Sequence, residues 1–123
     1  MDLSPFFKSI VEQDTAAVVI CDLNHTIIYM NPTAIERYSK RGGAALIGQS
    51  LLNCHNANSG IIINKVIDWF KSDNKHNIIH TYYNEKENKD VYMVALRDDK
   101  SELIGYYEKH EYRTKDDSPM YQF

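Results

Sequence analysis

Residues 18–39 read VVICDLNHTIIYMNPTAIERYS, and this stretch is the best guide to the fold of the chain. Two apolar runs, Val18–Cys21 and Thr26–Met30, are rich in β-branched and aromatic side chains and flank a polar spacer that favours a turn. Such a pattern predicts a β-hairpin. Asn31 and Pro32 follow directly. Asparagine accepts the free amide hydrogens at a helix N-terminus and proline suits the first helical position, so the hairpin should lead straight into a helix.

Length and composition are those of one ordinary globular domain. A chain of 123 residues can bury a core without disulfides or metal, and 43% hydrophobic and 25% charged residues are typical values. The net charge of −3 gives no general attraction to nucleic acid or to an anionic membrane. The N-terminus does not resemble a signal peptide, no apolar run approaches the roughly 20 residues of a bilayer span, and two cysteines make no disulfide framework. We therefore expect a cytoplasmic protein that binds neither nucleic acid nor membrane.

A long amphipathic helix is predicted over Gly60–Ser72, because its apolar residues recur at intervals of three and four. Asn58 or Ser59 is the expected N-cap of this helix. We expect the helix to cross one face of a sheet and to bury Trp69 or Phe70 there.

Three strands are predicted after the long helix, over residues 76–84, 90–97 and 102–113. Short polar turns join them, and one of these turns is the charged loop Glu85–Lys89. The pattern predicts an antiparallel meander, in which residues 76, 78, 80 and 82 share one face. The remaining residues, 114–123, are predicted to be a loop.

The first residues of the chain carry an apolar stripe. Residues 1–14 should form an amphipathic helix with Phe6, Phe7, Ile10 and Val11 on one side. Such a stripe needs a cover, which is either the sheet of the same chain or a second copy of the protein. We predict a homodimer interface on this helix, with the face of the sheet as a second contact.

The order of these elements, together with two short phrases, resembles the PAS domain family. Thr26–Pro32 is similar to a phrase that joins the second PAS strand to the first short helix, and Leu46–Leu51 is similar to an L-I-G-x-x-L phrase that leads towards the long connector helix. The resemblance covers residues 15–113. It implies an α+β fold, in which short helices and one long connector helix cover one face of a five-stranded antiparallel sheet.

A narrower resemblance concerns Cys54 and His55. Some bacterial PAS domains carry a Cys-His-Pro turn before the connector helix, and here Asn56 replaces the proline. This narrower resemblance implies a bacterial PAS domain but no particular bound cofactor. Some PAS sensors bind haem through a histidine on or near the connector helix, so the broader resemblance makes His55 a candidate haem ligand, although no second ligand is apparent. The reactive-cysteine phrase of flavin-binding PAS domains is absent, so flavin is not expected. A small organic ligand is the preferred cofactor class, and its identity is open.

The resemblance implies a sensory or regulatory module that binds a small ligand or a partner and signals through contact with a signalling protein. One alternative is a ligand-free dimerisation module, and another is a haem or thiol-based redox sensor. The candidate ligand-binding residues, which would line a pocket beneath the connector helix, are Cys54, His55, Ile28, Leu51, Ile62, Val66, Tyr92 and Val94. The tyrosines of the three last strands either line this pocket or form an exposed aromatic face.

No catalytic motif stands out in the sequence. It contains no Gly-rich phosphate loop, nucleophile elbow, H-E-x-x-H pair or carboxylate pair at helical spacing. His76 and His80 lack a third ligand for zinc, and we expect hydrogen-bonded strand histidines there. The sequence therefore predicts a protein without enzymatic activity or a bound metal.

Overall fold

The computed structural model of the protein describes residues 1–54 and 57–123. Three short 3-10 turns, over residues 39–41, 43–46 and 51–54, connect the second and third helices. The helices and strands, in chain order, are α1 (Ser4–Glu12), β1 (Val19–Asp22), β2 (Ile27–Met30), α2 (Pro32–Arg37), α3 (Ala57–Ser72), β3 (Ile78–Asn84), β4 (Lys89–Arg97) and β5 (Leu103–Tyr112).

The five strands form one sheet in the order β2-β1-β5-β4-β3, and every neighbouring pair is antiparallel. The last strand therefore lies at the centre, where it joins the first hairpin to the meander. Short helices and α3 cover one face, which we call the cavity face and which carries Cys21, Met93 and Tyr106. The opposite, outer face carries Ile20, Tyr92 and Tyr107, since neighbouring residues of a strand alternate between faces. The predicted α+β fold is confirmed.

Helix α3 packs on the cavity face through Ile63, Val66, Ile67 and Phe70, which are buried. The predicted burial of Phe70 is confirmed, and Trp69 is partly buried. The helix begins at Ala57, three residues before the predicted start. The N-cap prediction was therefore wrong, because Asn58 and Ser59 lie inside the first turn.

Bulges in β2 and β3 change the faces that simple alternation predicts for these two strands. In β2, Ile20 pairs with Tyr29 and Cys21 with Ile27, so Ile28 is the extra residue. In β3, His80 pairs with Tyr92 and Tyr82 with Val91, so Thr81 is the extra residue. The prediction that residues 80 and 82 share a face was wrong, because the bulge turns Tyr82 to the cavity face.

Asn31 caps α2 as predicted, and its side chain is fully buried. Its Oδ1 accepts hydrogen bonds from the amides of Ala34 and Val18, both at 2.9 Å. Its Nδ2 donates to the carbonyl oxygens of Val11 and Ala16, at 3.1 and 3.0 Å. One side chain thus holds together α1, the segment before β1 and the start of α2.

Helix α1 lies against the rest of the protein at its C-terminal end alone and has no fully buried residue. The hydroxyl of Tyr29 donates to Glu12 Oε1 at 2.6 Å, and burial, with a further contribution from this contact, raises the pKa of Tyr29 to about 12. Leu3, Phe6, Phe7 and Ile10 remain between 48 and 70% exposed. Over the described ranges, the helices are too short or too polar to cross a bilayer.

Candidate ligand-binding cavity

A cavity of about 520 Å³ lies between the cavity face of the sheet, the short helices and the first half of α3. Its volume is within the range of sites that hold small organic molecules. Its apolar lining residues are Ala17, Val19, Ile27, Met30, Leu46, Leu51, Ile62, Ile63 and Met93.

The polar lining comes largely from β5 and β3. Tyr106, Glu108 and His110 are alternate residues of β5 and therefore face the cavity together. The bulge in β3 brings both Thr81 and Tyr82 to the same side, where alternation would have supplied one of them. The other polar lining residues are Cys21, Tyr38, Arg41 and Ser59.

A chain of hydrogen bonds leads from the cavity wall to α3. The hydroxyl of Tyr106, a residue that pairs with Cys21 across β5 and β1, lies 2.7 Å from Nδ1 of His25. Nε2 of His25 lies 3.0 Å from Oδ1 of Asn64 on α3. Because the amide oxygen only accepts, Nε2 carries the hydrogen and Nδ1 accepts from Tyr106.

Burial keeps the Cys21 thiol and the Tyr106 hydroxyl protonated. Burial raises the pKa of the Cys21 thiol to about 11, and it raises the pKa of Tyr106 further above its usual value. At neutral pH the side chains of Cys21 and Tyr106 are therefore uncharged.

A second network consists of charged groups at one end of the cavity. Arg37 donates two hydrogen bonds of 2.6 Å to the carboxylate of Glu87, which lies 3.1 Å from Nζ of Lys89. Lys89 Nζ is 3.4 Å from Nδ1 of His110, and Nε2 of His110 is 3.0 Å from Glu108. The guanidinium of Arg37 lowers the pKa of Glu87 to about 2, since it stabilises the charged carboxylate.

At the level of sequence, no protein-family model and no curated protein matches the chain. The fold has several counterparts among solved structures. The PAS domain of a protein from Colwellia psychrerythraea has 16% identity and a TM-score of 0.64, over 94% of this chain and 100% of that one. The chain has the PAS fold.

Two further structures with this fold come from Vibrio cholerae. A sensory box sensor histidine kinase matches with 11% identity and a TM-score of 0.58, over 86% of this chain and 88% of that one. The Aer2 receptor, described as a dual PAS-heme oxygen sensor, matches with 17% identity and a TM-score of 0.54, over 80% of this chain and 94% of that one.

The structure brings some of the predicted site residues to the cavity and does not describe others. Leu51 and Ile62 line the cavity, and Val66 lies in the core beside it. Cys54, as a side chain, and His55 lie outside the described residues.

Three of the predicted pocket residues were assigned to the wrong side of the sheet. Ile28 is the extra residue of the bulge in β2 and is 55% exposed, while Ile27 takes its expected place in the cavity. Tyr92 and Val94 lie on the outer face, because the register of β4 turns Met93 inward. The sequence showed that β4 alternates, but it did not show which set of alternate residues faces the helices.

The histidines considered for zinc have other contacts. His76 precedes β3, stacks on Trp69 with ring centroids 4.0 Å apart, and bonds the carbonyl oxygen of Trp69 at 2.8 Å. His80 lies 3.0 Å from Asp90. Among the side chains that the structure describes, which lie in residues 1–53 and 57–123, no three His, Cys, Asp or Glu residues are arranged to hold a metal.

Two functional candidates were missed in the sequence. Lys89 was assigned to an exposed loop, yet it is the first residue of β4 and is buried between Glu87 and His110. Glu108 was not considered as a lining residue. Its position two residues after Tyr106 in a strand was the signal that could have found it, since both residues face the same way.

Proposed function

We propose that this chain is a sensory module of the PAS type, which binds a small molecule in the cavity and signals through contact with another protein. One observation carries the proposal. Tyr106 forms part of the cavity wall and is also linked through His25 to Asn64 on α3. A ligand that moves the Tyr106 hydroxyl therefore changes the attachment of α3 to the sheet, provided that it favours one of two arrangements.

The structural neighbours support a sensory role by analogy. One is described as an oxygen sensor and another as a sensor histidine kinase, and both share the fold. Fold alone does not determine function, so the cavity and its connection to α3 are the stronger support.

The proposed output surface combines α1 with the outer face of the sheet. Phe6, Phe7 and Ile10 form an exposed apolar side of α1, and Ile78 is exposed on the outer face. Val11 is partly buried, and its carbonyl oxygen accepts a hydrogen bond from the side-chain amide of Asn31. A second copy of the chain would cover this surface, and burial of about 25 cal/mol per Å² of apolar area would stabilise the dimer.

Native mass spectrometry of the purified protein, together with its absorbance spectrum, tests the ligand-binding part. Ile62→Trp should fill the cavity and abolish a bound mass and its thermal stabilisation, because Ile62 lines the cavity from α3. Ile61→Trp is the matched control, since Ile61 is a similarly exposed neighbour outside the cavity lining. If the parent and both variants carry no additional mass and the protein is a dimer, a ligand-free dimerisation module is the better interpretation of its function.

Light scattering at tens of micromolar protein tests the output surface. We expect a dimer for the parent and for Lys8→Ser, which changes the polar side of α1, and a monomer for Phe7→Ser. A parent that is monomeric at this concentration would contradict the proposed interface.

A further inference from the structure

Glu108 is a carboxylate that faces an otherwise mainly apolar cavity. It lies on β5 opposite Met93 of β4, and both residues line the cavity. Its side chain remains 42% exposed, and Oε1 accepts a hydrogen bond from Nε2 of His110 at 3.0 Å. Within the described residues, no lysine or arginine lies within ion-pair distance of Glu108.

Both ring nitrogens of His110, the residue that contacts Glu108, have a hydrogen-bond partner. Its side chain is 4% exposed, and its Nδ1 faces the ammonium group of Lys89 at 3.4 Å. An ammonium group only donates hydrogen bonds, so Nδ1 is the nitrogen that accepts from Lys89 and Nε2 is the nitrogen that donates to Glu108. Lys89 itself pairs with Glu87 at 3.1 Å, on the far side of the ring from Glu108.

The charge of Glu108 acts on the other polar groups of the cavity. Burial is the largest cause that raises the pKa values of Cys21, Tyr38, Tyr82 and Tyr106, and the charge of Glu108 contributes to each of these increases. All four residues line the cavity. The polar end of the cavity is therefore a place where a positive charge is favoured.

We propose that the cavity selects a small molecule with an apolar body and a protonated amine, and that Glu108 binds the amine. The proposal rests on the ligand-binding function given above and names the chemical class of the ligand. The ammonium group would donate to Glu108 in a charge-assisted hydrogen bond, and the hydroxyls of Tyr38 and Tyr82 can accept its remaining hydrogens. The apolar body would lie against Ile27 and Met30.

Arg41 is the competing group, since it also lines the cavity and would favour an anion. It is exposed in the turn after α2 and, among the described residues, its guanidinium has no ion-pair partner. The charge of an exposed arginine is screened by water, so an ion pair between Arg41 and an anionic ligand would contribute little free energy of binding. Glu108 lies beside the buried side chains of Tyr106 and His110, where solvent screens its charge less. Comparing the affinities of an amine and a carboxylate ligand therefore tests whether Glu108 or Arg41 selects the ligand.

Isothermal titration calorimetry with three indole compounds tests the proposal on the full chain at neutral pH. Tryptamine, tryptophol and indole-3-propionate share one apolar body and differ in a cationic, neutral or anionic head group. We expect tryptamine to bind tightest, by at least about tenfold over indole-3-propionate. In Glu108→Gln the affinity for tryptamine should fall to that for tryptophol, because the amide still accepts from His110 but carries no charge.

Glu111→Gln is the matched control, since Glu111 lies on the same strand but on the outer face, where it pairs with Lys109 at 2.6 Å. It should keep the preference for tryptamine. Tightest binding of indole-3-propionate, or an unchanged preference in Glu108→Gln, would overturn the amine proposal and leave the ligand-binding function standing. Failure of all three compounds to bind at millimolar concentration would count against both.

Discussion

The hydroxyl of Tyr106 lies 2.7 Å from Nδ1 of His25, although the two residues are 81 positions apart in the chain. Tyr106 stands on the central strand of the sheet, and His25 occupies the turn of the first hairpin with a positive φ of 63°. A φ in this range is uncommon for a residue other than glycine, so the contacts of the imidazole help to hold the turn. The same ring forms a hydrogen bond with Asn64 and thereby connects α3 to the first hairpin and to β5.

Tyr106→Phe should weaken this attachment. The change leaves Nδ1 of the partly buried His25 without its hydroxyl partner, and the loss of a partner for a polar group inside a protein costs about 1–3 kcal/mol. We expect urea denaturation to show a loss of about that size, and hydrogen exchange to show faster exchange in α3. Tyr107→Phe is the control, because Tyr107 lies on the outer face. An equal loss in both variants would mean that the Tyr106 hydroxyl has no special role.

Asn31→Ala should cost more than the loss of a helix cap. A cap alone contributes about 0.5–2 kcal/mol, but Asn31 also satisfies the amide of Val18 and three carbonyl oxygens before β1. We expect a loss of about 3 kcal/mol or more in the free energy of unfolding, because several buried backbone groups lose their partner. Thr33→Ala removes one exposed hydrogen bond to Asp14 and should cost much less. A loss within the range of a simple cap would contradict the wider role.

The sequence was sufficient for features that depend on a few neighbouring residues. The cap at Asn31, the strands and the buried face of α3 follow from local pattern, and the structure has them. The bulges in β2 and β3 did not follow, because the extra residue of a bulge is determined by pairing with another strand. The positions of Ile28, Tyr82 and Tyr92 relative to the cavity depend on that pairing.

Lys89 shows a second limit of the sequence. A lysine among charged residues is normally solvent-exposed, and that base expectation placed it in a loop. Its burial depends on Glu87 and His110, which come from the preceding turn and from another strand. Charge networks of this kind require the tertiary structure, so the polar end of the cavity was not predictable from composition.

Gly105→Ala should destabilise the centre of the sheet. Gly105 pairs with Asp22 between β5 and β1, and a Cβ atom at this position would overlap the carbonyl oxygen of Cys21. We expect a loss of about 1–3 kcal/mol in urea denaturation, since the backbone of β1 would have to shift. Gly60→Ala provides a control of opposite sign. Its Cβ would meet Leu52 at 3.8 Å, an ordinary contact, and alanine favours a helix over glycine by about 0.5–1 kcal/mol. A neutral Gly105→Ala variant would mean that the two strands can separate without cost.

Glu87→Gln tests the charged network through the dependence of stability on pH. The pKa of Glu87 is lowered from 4.5 to about 2 by Arg37. A carboxyl group whose pKa is lower in the folded state stabilises the protein above its unfolded pKa, and this contribution is lost as pH falls from about 4.5 to about 2. The carboxylate is about one-third exposed, so screening by solvent reduces its contribution to about 1 kcal/mol at neutral pH.

Urea denaturation at several pH values measures this contribution. We expect the parent to exceed Glu87→Gln in stability at neutral pH and the difference to shrink as the pH falls from about 4.5 towards 2, because the carboxyl group is then largely protonated in the unfolded state and increasingly protonated in the folded state. Glu85→Gln removes a charge from the same turn without removing a partner of Arg37 or Lys89, so it should follow the parent at every pH. A difference between the parent and Glu87→Gln that stays constant down to pH 2 would mean that Glu87 acts through its shape or packing. In that case the charge of Glu87, which pairs with both Arg37 and Lys89, would not be what stabilises this network.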